Sequence, residues 1–130
     1  MKVEGVVVCV NYGDFLAWTL PLAKHHFDRM VVVTTPGDRI TRKLCEHWHV
    51  QCVVTEVCYE NGNPFNKGKM INEGLRHLSG DAYVVHQDGD IVLPPKFRLL
   101  LQSQVLEKDC IYGVDRLMCC SFLDWMQQWY

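Results

Sequence analysis

One segment decides the fold class that the sequence predicts: Ala82-Tyr83-Val84-Val85-His86-Gln87-Asp88-Gly89-Asp90-Ile91-Val92-Leu93-Pro94-Pro95. Its aromatic and β-branched residues follow the turn residues Ser79-Gly80-Asp81, a pattern typical of a buried strand. Two carboxylates and a double proline then end the strand. Because side chains two residues apart in a strand point to the same side, we expect Asp88 and Asp90 to converge at its carboxyl end.

Apolar strands and amphipathic helices alternate along the rest of the chain. Residues 3–10 form a near-continuous apolar run, as expected of a strand that is covered on both faces. Strands at residues 30–34 and 50–57 precede the aspartate strand, and a short strand at residues 110–114 follows it. This alternation predicts an α/β fold, a Rossmann-like three-layer α/β/α arrangement. We expect a mostly parallel sheet of order 3-2-1-4 plus a short edge strand.

Length and composition narrow the possible functions. A chain of 130 residues is one domain by length, and its net charge of −2 offers no basic surface for nucleic acid. No apolar run is long enough to span a membrane, and residues 1–5 lack a signal-peptide pattern. Seven cysteines is an odd number, and four lie in apolar runs, as buried residues of a reduced compartment would: Cys9, Cys52, Cys58 and Cys110. We therefore expect a single cytoplasmic domain, residues 1–130, without a transmembrane segment.

The end of the aspartate strand is the place where we expect a ligand. In open α/β sheets, ligands bind beyond the carboxyl ends of the strands. Two carboxylates with room for water and phosphate oxygens suit Mg²⁺ or Mn²⁺. The alternative is an Asp-Gly-Asp surface turn without a ligand. Because the chain has neither a Gly-x-Gly-x-x-Gly nor a Walker A sequence, we expect a metal to hold any phosphates.

A second motif lies upstream, in the segment Lys67-Gly68-Lys69-Met70-Ile71-Asn72-Glu73-Gly74-Leu75. Together with Asp88-Gly89-Asp90-Ile91-Val92-Leu93-Pro94, it resembles the nucleotide-sugar half of GT-A glycosyltransferases, the inverting family 2 in particular. In that family a Lys-x-x-x-x-Asn-x-Gly-Leu helix leads into a strand that ends in Asp-x-Asp, an apolar residue and proline. The resemblance covers roughly residues 3–97, and the matching residues are Lys67, Asn72, Gly74, Leu75, Asp88 and Asp90.

The resemblance implies a GT-A-like fold, a nucleotide-diphosphate sugar as donor, and Mn²⁺ or Mg²⁺ as cofactor. Asp90 would hold the metal, and Asp88 would hold the ribose or the outer shell of the metal. Lys67, near a helix N-terminus, would add a positive charge for the phosphates, although lysines are most often simply solvated. Asn72 would belong to the donor site or hydrogen-bond a neighbouring loop. A divalent cation stabilises a departing diphosphate as a Lewis acid, which agrees with the donor and the metal that the resemblance implies.

Three further positions are candidates for the same site. Asp38 stands where the family places an acid for the nucleoside, although a Pro-Gly-Asp turn explains it equally well. Tyr12 would line the base pocket. Asp115, at the end of the predicted fifth strand, is the candidate general base, and an ion pair or a helix cap is the alternative. In the family, the base and acceptor recognition come from sequence well beyond Asp-x-Asp, so we expect a short or missing acceptor half and poor transfer to an unknown acceptor.

Three functions remain open at this point. The first is a metal-dependent glycosyltransferase of the hexosyltransferase type. The second is a catalytically weak or inactive module that binds sugar nucleotides. The third is a nucleotidyltransferase, although the glycine-rich loop that usually follows the first strand is missing here.

Two other segments have a composition that needs an explanation. The segment from Cys45 to Cys52 contains four possible zinc ligands, but their spacing favours buried cysteines and surface histidines over a zinc site.

The C-terminal segment is too apolar for a solvated terminus, so it should cover the sheet or form a homodimer interface. Its apolar residues are Leu117, Met118, Phe122, Leu123, Trp125, Met126 and Trp129.

Overall fold

A computed structural model of the chain describes the backbone of residues 1–129 and the side chains of residues 1–127. The chain divides into two compact units, Met1–Leu93 and Pro94–Tyr130. The first unit contains, in chain order, β1 (Val3–Val8), α1 (Gly13–Ala23), β2 (Arg29–Thr34), α2 (Arg39–His47), β3 (Gln51–Val54), α3 (Lys67–Leu75) and β4 (Tyr83–Asp88). Short 3₁₀ turns occupy Lys24–His26 and Val57–Gly62.

The four strands form one parallel sheet with the order β3-β2-β1-β4. In register, Val6 of β1 lies between Val31 of β2 and His86 of β4. All six residues of β1 are buried, as expected of a central strand with both faces covered. The prediction of an α/β fold with a parallel sheet of order 3-2-1-4 is therefore confirmed.

Helix α3 packs on one face of this sheet, and a glycine sets its distance from the strands. The core on this face includes Val6, Val33 and Met70. A Cβ atom on Gly74 would lie 2.5 Å from Val6 Cγ2 and 2.7 Å from Val33 Cγ2, closer than atoms can approach. The glycine of the Lys-x-x-x-x-Asn-x-Gly-Leu motif therefore has a packing role in this protein. It lets α3 lie close to β1 and β2, which places the N-terminus of α3 near the ends of those strands.

Helix α2 covers the opposite face. Val53 of β3 pairs with Val33 and belongs to the core under α3, so its neighbour Cys52 points to the other side of the sheet. On α2, Thr41 and Cys45 are buried, and the Thr41 hydroxyl lies 3.3 Å from the Cys9 sulfur just after β1. Helices on both faces of a parallel sheet make the three-layer arrangement that the alternation of strands and helices predicts.

The second unit is helical where its structure is regular. Its described elements are α4 (Phe97–Gln102) and α5 (Phe122–Trp129). Residues 110–114 have no regular structure, so the predicted short edge strand is wrong: the sheet described within residues 1–129 has four strands. Gly113 interrupts this short apolar run, and strand formation depends on a partner and a packed face more than on propensity. Cys110 is exposed rather than buried, which corrects a second expectation for this segment.

The apolar C-terminal segment is partly helical. Leu117, Met118 and Leu123 are more than two-thirds exposed within the described chain, while the side chain of Trp129 lies outside the described residues. The homodimer interface that this segment predicts therefore stays a prediction. Among the described residues, no helix has the length and apolar composition needed to cross a membrane.

Candidate functional site

A cleft of about 500 Å³ opens in the first unit where β1 and β4 end. Five consecutive residues at the end of β1 line it, from Val8 to Tyr12, and so do Asp88, Gly89 and Asp90 at the end of β4. Lys67, the first residue of α3, completes its charged wall. The cleft therefore lies at the carboxyl edge of the sheet, the edge at which parallel α/β sheets bind ligands.

The two aspartates reach the cleft by a route that differs from the sequence expectation. Asp88 is the last residue of β4 and pairs with Val8, but Gly89 and Asp90 lie in a turn that the Ile91 N–H closes by donating to the Asp88 carbonyl at 3.1 Å. Asp90 thus does not continue the strand, and the expectation of one shared strand face is wrong. The turn itself brings both carboxylates to the same cleft.

A hydrogen bond from α1 holds this turn in place. The Thr19 hydroxyl donates to the Gly89 carbonyl at 2.6 Å, and Thr19 is buried. The bond joins the middle of α1 to the peptide between the two aspartates. A hydrogen bond from a buried side chain restricts the turn, so Asp88 and Asp90 are positioned by the fold and not only by their own strand.

Lys67 forms an ion pair with Asp88, and this pair is the main electrostatic feature of the cleft. Both side chains remain about two-fifths exposed, so a ligand in the cleft can reach them. His86 Nε2 lies 3.8 Å from Asp88 Oδ1. Burial lowers the pKa of His86 and the charge of Lys67 lowers it further, against the opposing effect of Asp88. His86 is therefore neutral at physiological pH, and Lys67 is the cation beside Asp88.

The N-terminus of α3 adds a further preference for anions. Asn66 caps this helix by accepting a hydrogen bond from the Lys69 N–H at 3.0 Å. Free N–H groups and the helix dipole favour negative charge at such an end. With the Lys67 ammonium group in the same place, this side of the cleft suits phosphate groups.

Metal binding by the cleft depends on how many ligands the protein supplies. Among the described side chains, no group of three or more His, Cys, Asp and Glu residues is arranged to hold a metal ion. Asp88 and Asp90 supply two carboxylates. Mg²⁺ and Mn²⁺ are commonly bound by one or two carboxylates together with water and substrate phosphates. The donor set therefore fits a divalent cation that binds with a diphosphate, and does not fit a cation held by the protein alone.

Asp38 is not one of the described residues that line the cleft, but it accepts a hydrogen bond from Asn11, which does line it. Its side chain is only 4% exposed. Asp38 Oδ1 accepts the Thr41 N–H at 3.1 Å as the N-cap of α2, and Oδ2 accepts the Asn11 N–H at 2.7 Å and the Thr34 hydroxyl at 3.1 Å. Burial would raise the pKa of Asp38, but these hydrogen bonds outweigh it and hold the pKa below its usual value. A structural role accounts for these contacts, and the nucleoside contact stays a prediction.

Aromatic side chains form the apolar part of the cleft. Tyr12 is 61% exposed at the start of α1, and its ring centroid lies 6.1 Å from that of Phe15. Tyr59 and Phe65 line the same cleft from the loop before α3. Sequence reasoning missed both of them, because that loop shows no apolar periodicity. Two exposed aromatic residues in a polar loop were the available signal, and such rings can stack on a flat ligand ring.

Two candidate residues from the sequence, Asn72 and Asp115, are not among the described residues that line the cleft. Asn72 is exposed on α3 and is not among the described residues that line the cleft. Asp115 belongs to the second unit, where it is exposed in a segment without regular structure. The premise that Asp115 ends a strand is therefore wrong, and its role as general base stays a prediction.

Comparison with known proteins adds no assignment. No protein-family model matches this chain, and no curated protein matches it either. The features that bear on function are thus the geometry of the cleft and the two short motifs at residues 67–75 and 88–94.

Proposed function

We propose that the cleft binds a nucleotide-diphosphate sugar together with Mn²⁺ or Mg²⁺, and that the chain is a glycosyltransferase-like protein. One observation carries this proposal: Tyr12, Lys67 and the two aspartates come from three separate segments and line one cleft. A volume of about 500 Å³ is within the usual range of small-molecule sites. The resemblance to the nucleotide-sugar half of GT-A glycosyltransferases supports the same ligand.

The parts of such a donor fit different walls of the cleft. The diphosphate suits the N-terminus of α3 and Lys67, where positive charge is concentrated. Asp90 and Asp88 would hold the cation. The nucleobase suits the aromatic side chains of Tyr12 and Tyr59, because a flat ring stacks on exposed aromatic rings.

The Lys67–Asp88 ion pair prepares the cleft for a ligand that carries both charges. In the free protein the two groups neutralise each other. On binding, Lys67 would turn to a phosphate oxygen and Asp88 would become a ligand of the cation, so each group exchanges one partner for another of the same sign. When bound, the cation would stabilise the negative charge of the departing diphosphate. Because Lys67 and Asp88 are partly exposed and their ion pair is weak, removing water from them costs less free energy than their two new contacts supply.

A binding module without transferase activity is the second candidate function. Among the described residues, the carboxylates that line the cleft are Asp88 and Asp90, and both are assigned to the cation. Transfer to a hydroxyl acceptor also needs a general base within hydrogen-bond reach of that hydroxyl. A chain that binds the donor and releases free sugar slowly, without a glycosylated product, would match this second candidate.

Calorimetry of UDP and GDP, each with and without Mn²⁺, tests the proposed ligand. We expect tighter binding with the metal, and Asp90→Asn should remove most of that gain, a loss of roughly tenfold or more in affinity for one charged contact. Lys67→Met should weaken binding both with and without metal. Asp14→Asn, which changes an exposed acid in the first turn of α1, is the matched control and should bind as the native chain does. Equal affinity with and without Mn²⁺ would contradict the proposal.

A second assay separates the two candidate functions. The native chain is incubated with a panel of UDP- and GDP-sugars, Mn²⁺ and a set of acceptors, and both free sugar and glycosylated product are followed. Product formation supports the transferase. Asp115→Asn tests the general base in the same assay: loss of product with donor binding unchanged would assign that role, and unchanged product would exclude it.

A further inference from the structure

Large apolar side chains are exposed around the mouth of the cleft in the first unit. Phe15 lies in the first turn of α1, Ile40 lies in the first turn of α2, and Phe65 lies in the loop before α3. Their exposed fractions are 50%, 64% and 44%. We call these three side chains the apolar rim. Exposed apolar groups that gather in one place mark a contact surface more often than scattered ones do.

The apolar rim is one surface at the carboxyl edge of the sheet. α1 and α2 begin shortly after β1 and β2 end, so their first turns lie at that edge. A Cβ atom on Gly13 would lie 2.4 Å from Ile40 Cγ2, which places Ile40 against the start of α1. The Tyr12 ring centroid lies 6.1 Å from that of Phe15, and Tyr12 and Phe65 line the same cleft. These contacts carry the rim from α2 across the start of α1 to the cleft.

Exposed cations on α2 lie beside the rim. Arg39 and Lys43 are one helical turn apart, and Ile40 lies three residues before Lys43, so the three residues share one side of α2. Neither cation takes part in an ion pair within the part of the chain that the structure describes. By contrast, Lys69 and Arg76 each have an acidic partner at 2.7 Å. The charges beside the rim therefore remain to be matched by a partner.

We propose that the apolar rim and the cations of α2 dock on the surface of an anionic lipid bilayer. Aromatic and aliphatic side chains enter the boundary between headgroups and acyl chains, and nearby Lys and Arg side chains meet anionic headgroups. A bilayer therefore supplies both the apolar and the anionic partner that this surface calls for. Because the rim borders the mouth of the cleft, docking brings that mouth to the bilayer surface.

Docking of this kind gives the proposed transfer a class of acceptor, a hydroxyl group borne by a lipid. This consequence rests on the proposed function, whereas docking itself needs neither nucleotide nor Mn²⁺. Failure of donor binding would leave vesicle binding intact, and failure of vesicle binding would leave donor binding intact. The two proposals are thus tested separately.

A second copy of the chain is the alternative occupant, and the charges on α1 and α2 disfavour it. A two-fold interface brings the same surface of two molecules together. The cations of these helices are Arg39, Arg42 and Lys43, and their acids are Asp14 and Glu46. Two copies would therefore oppose an excess of positive charge. Like charges across an interface cost free energy, whereas anionic headgroups attract the same cations.

Vesicle flotation tests the docking with the full native chain. The vesicles contain phosphatidylcholine alone or phosphatidylcholine mixed with phosphatidylglycerol, which is anionic. We expect binding to the anionic vesicles that weakens as salt is added, and much weaker binding to the neutral vesicles. No binding to the anionic vesicles, or equal binding to both kinds, would overturn the proposal.

Single substitutions test the apolar contribution. Phe15→Ser and Ile40→Ser should each weaken binding to anionic vesicles by roughly fivefold or more, because each removes an apolar side chain from the lipid boundary. Leu123→Ser is the matched control, since Leu123 is also exposed but lies in α5 of the second unit. An equal loss in the control would assign vesicle binding to the apolar C-terminal segment and overturn the proposal. Circular dichroism of each variant monitors its fold.

Charge has its own set of variants. Lys43→Gln should weaken binding to anionic vesicles by roughly threefold and leave the weak binding to neutral vesicles unchanged. Asp14→Asn should strengthen binding to anionic vesicles by a similar factor. Arg76→Gln, which removes an exposed cation at the end of α3, is the control and should change little. Equal effects of Lys43→Gln and Arg76→Gln would contradict docking through α2.

Size-exclusion chromatography without vesicles tests the second copy. We expect Phe15→Ser to leave the elution volume of the native chain unchanged. A native dimer that Phe15→Ser converts to a monomer would assign the rim to a second copy of the chain and overturn the proposal.

Discussion

Replacement of Asp38 by alanine should be among the most damaging single changes to the first unit. The carboxylate is 4% exposed and accepts hydrogen bonds from the Thr41 N–H, the Asn11 N–H and the Thr34 hydroxyl at 3.1, 2.7 and 3.1 Å. Alanine leaves all three donors without this acceptor. It also removes the N-cap of α2 and frees Asn11, which lines the cleft. One side chain therefore links the stability of α2 to the shape of the candidate site.

The expected loss follows from these contacts. An N-cap contributes about 1 kcal/mol, and a hydrogen bond to a buried carboxylate contributes roughly 1 kcal/mol or more. Asp38→Ala should therefore lower the free energy of unfolding by about 3 kcal/mol. Asp38→Asn keeps one acceptor oxygen, replaces the other with an NH₂ group that cannot accept a hydrogen bond, and loses the charge, so we expect at least about half of that loss. The control is Asp14→Ala, which removes an exposed acid in the first turn of α1 and should cost less than about 1 kcal/mol.

The pH dependence tests the cause of the loss. Burial acts to raise the pKa of Asp38, but the hydrogen bonds from Thr41, Asn11 and Thr34 outweigh it, so the pKa in the folded protein is below the ordinary value of 3.8. A carboxyl group with a lowered pKa contributes stability above its unfolded pKa, and this contribution is lost as the pH falls through the folded value. The difference between the native chain and Asp38→Asn should thus be largest near neutral pH and shrink below pH 3.8.

Urea unfolding, followed by circular dichroism near neutral pH and again in acid, measures these differences. A loss below about 1 kcal/mol for Asp38→Ala would refute the reasoning, because it would mean that the three donors find equivalent partners elsewhere. A difference between the native chain and Asp38→Asn that does not change with pH would show that the charge of the carboxylate is not what the donors stabilise.

Two further predictions concern packing and the position of the site. Gly74→Ala should destabilise the protein by about 1–3 kcal/mol in thermal unfolding, because its methyl group would lie 2.5 Å from Val6 Cγ2. The control is Gly37→Ala, whose methyl group meets no atom within 4 Å and should be nearly neutral. Similar melting temperatures for the two variants would contradict this account of α3. Thr19→Val loses the hydrogen bond to the Gly89 carbonyl and should weaken metal-dependent nucleotide binding by roughly fivefold, since one hydrogen bond contributes about 1 kcal/mol. Unchanged affinity would mean that the aspartate turn is held without α1.

The sequence alone was sufficient to predict the order of strands and helices along the first unit and the order of strands in its sheet. Apolar runs for strands and periodic apolar residues for helices are local patterns, and parallel connections then restrict the topology. The cap of α3 at Asn66 is also a local feature, because the capping side chain and the N–H that it meets are three residues apart. Even the placement of Asp88 at a strand end follows from one apolar run and the glycine after it.

The tertiary structure decided the features that depend on residues far apart in the chain. The Lys67–Asp88 ion pair and the contribution of Tyr59 to the cleft require α3 and its preceding loop to lie beside the end of β4, and no periodicity encodes that distance. Residues 110–114 have strand-forming side chains but no regular structure, because a strand is stable only with a partner and no local pattern supplies one. The contact between the Cys9 sulfur and the Thr41 hydroxyl at 3.3 Å has the same origin, since the two residues are far apart in sequence and lie in different layers that only the packed fold brings together.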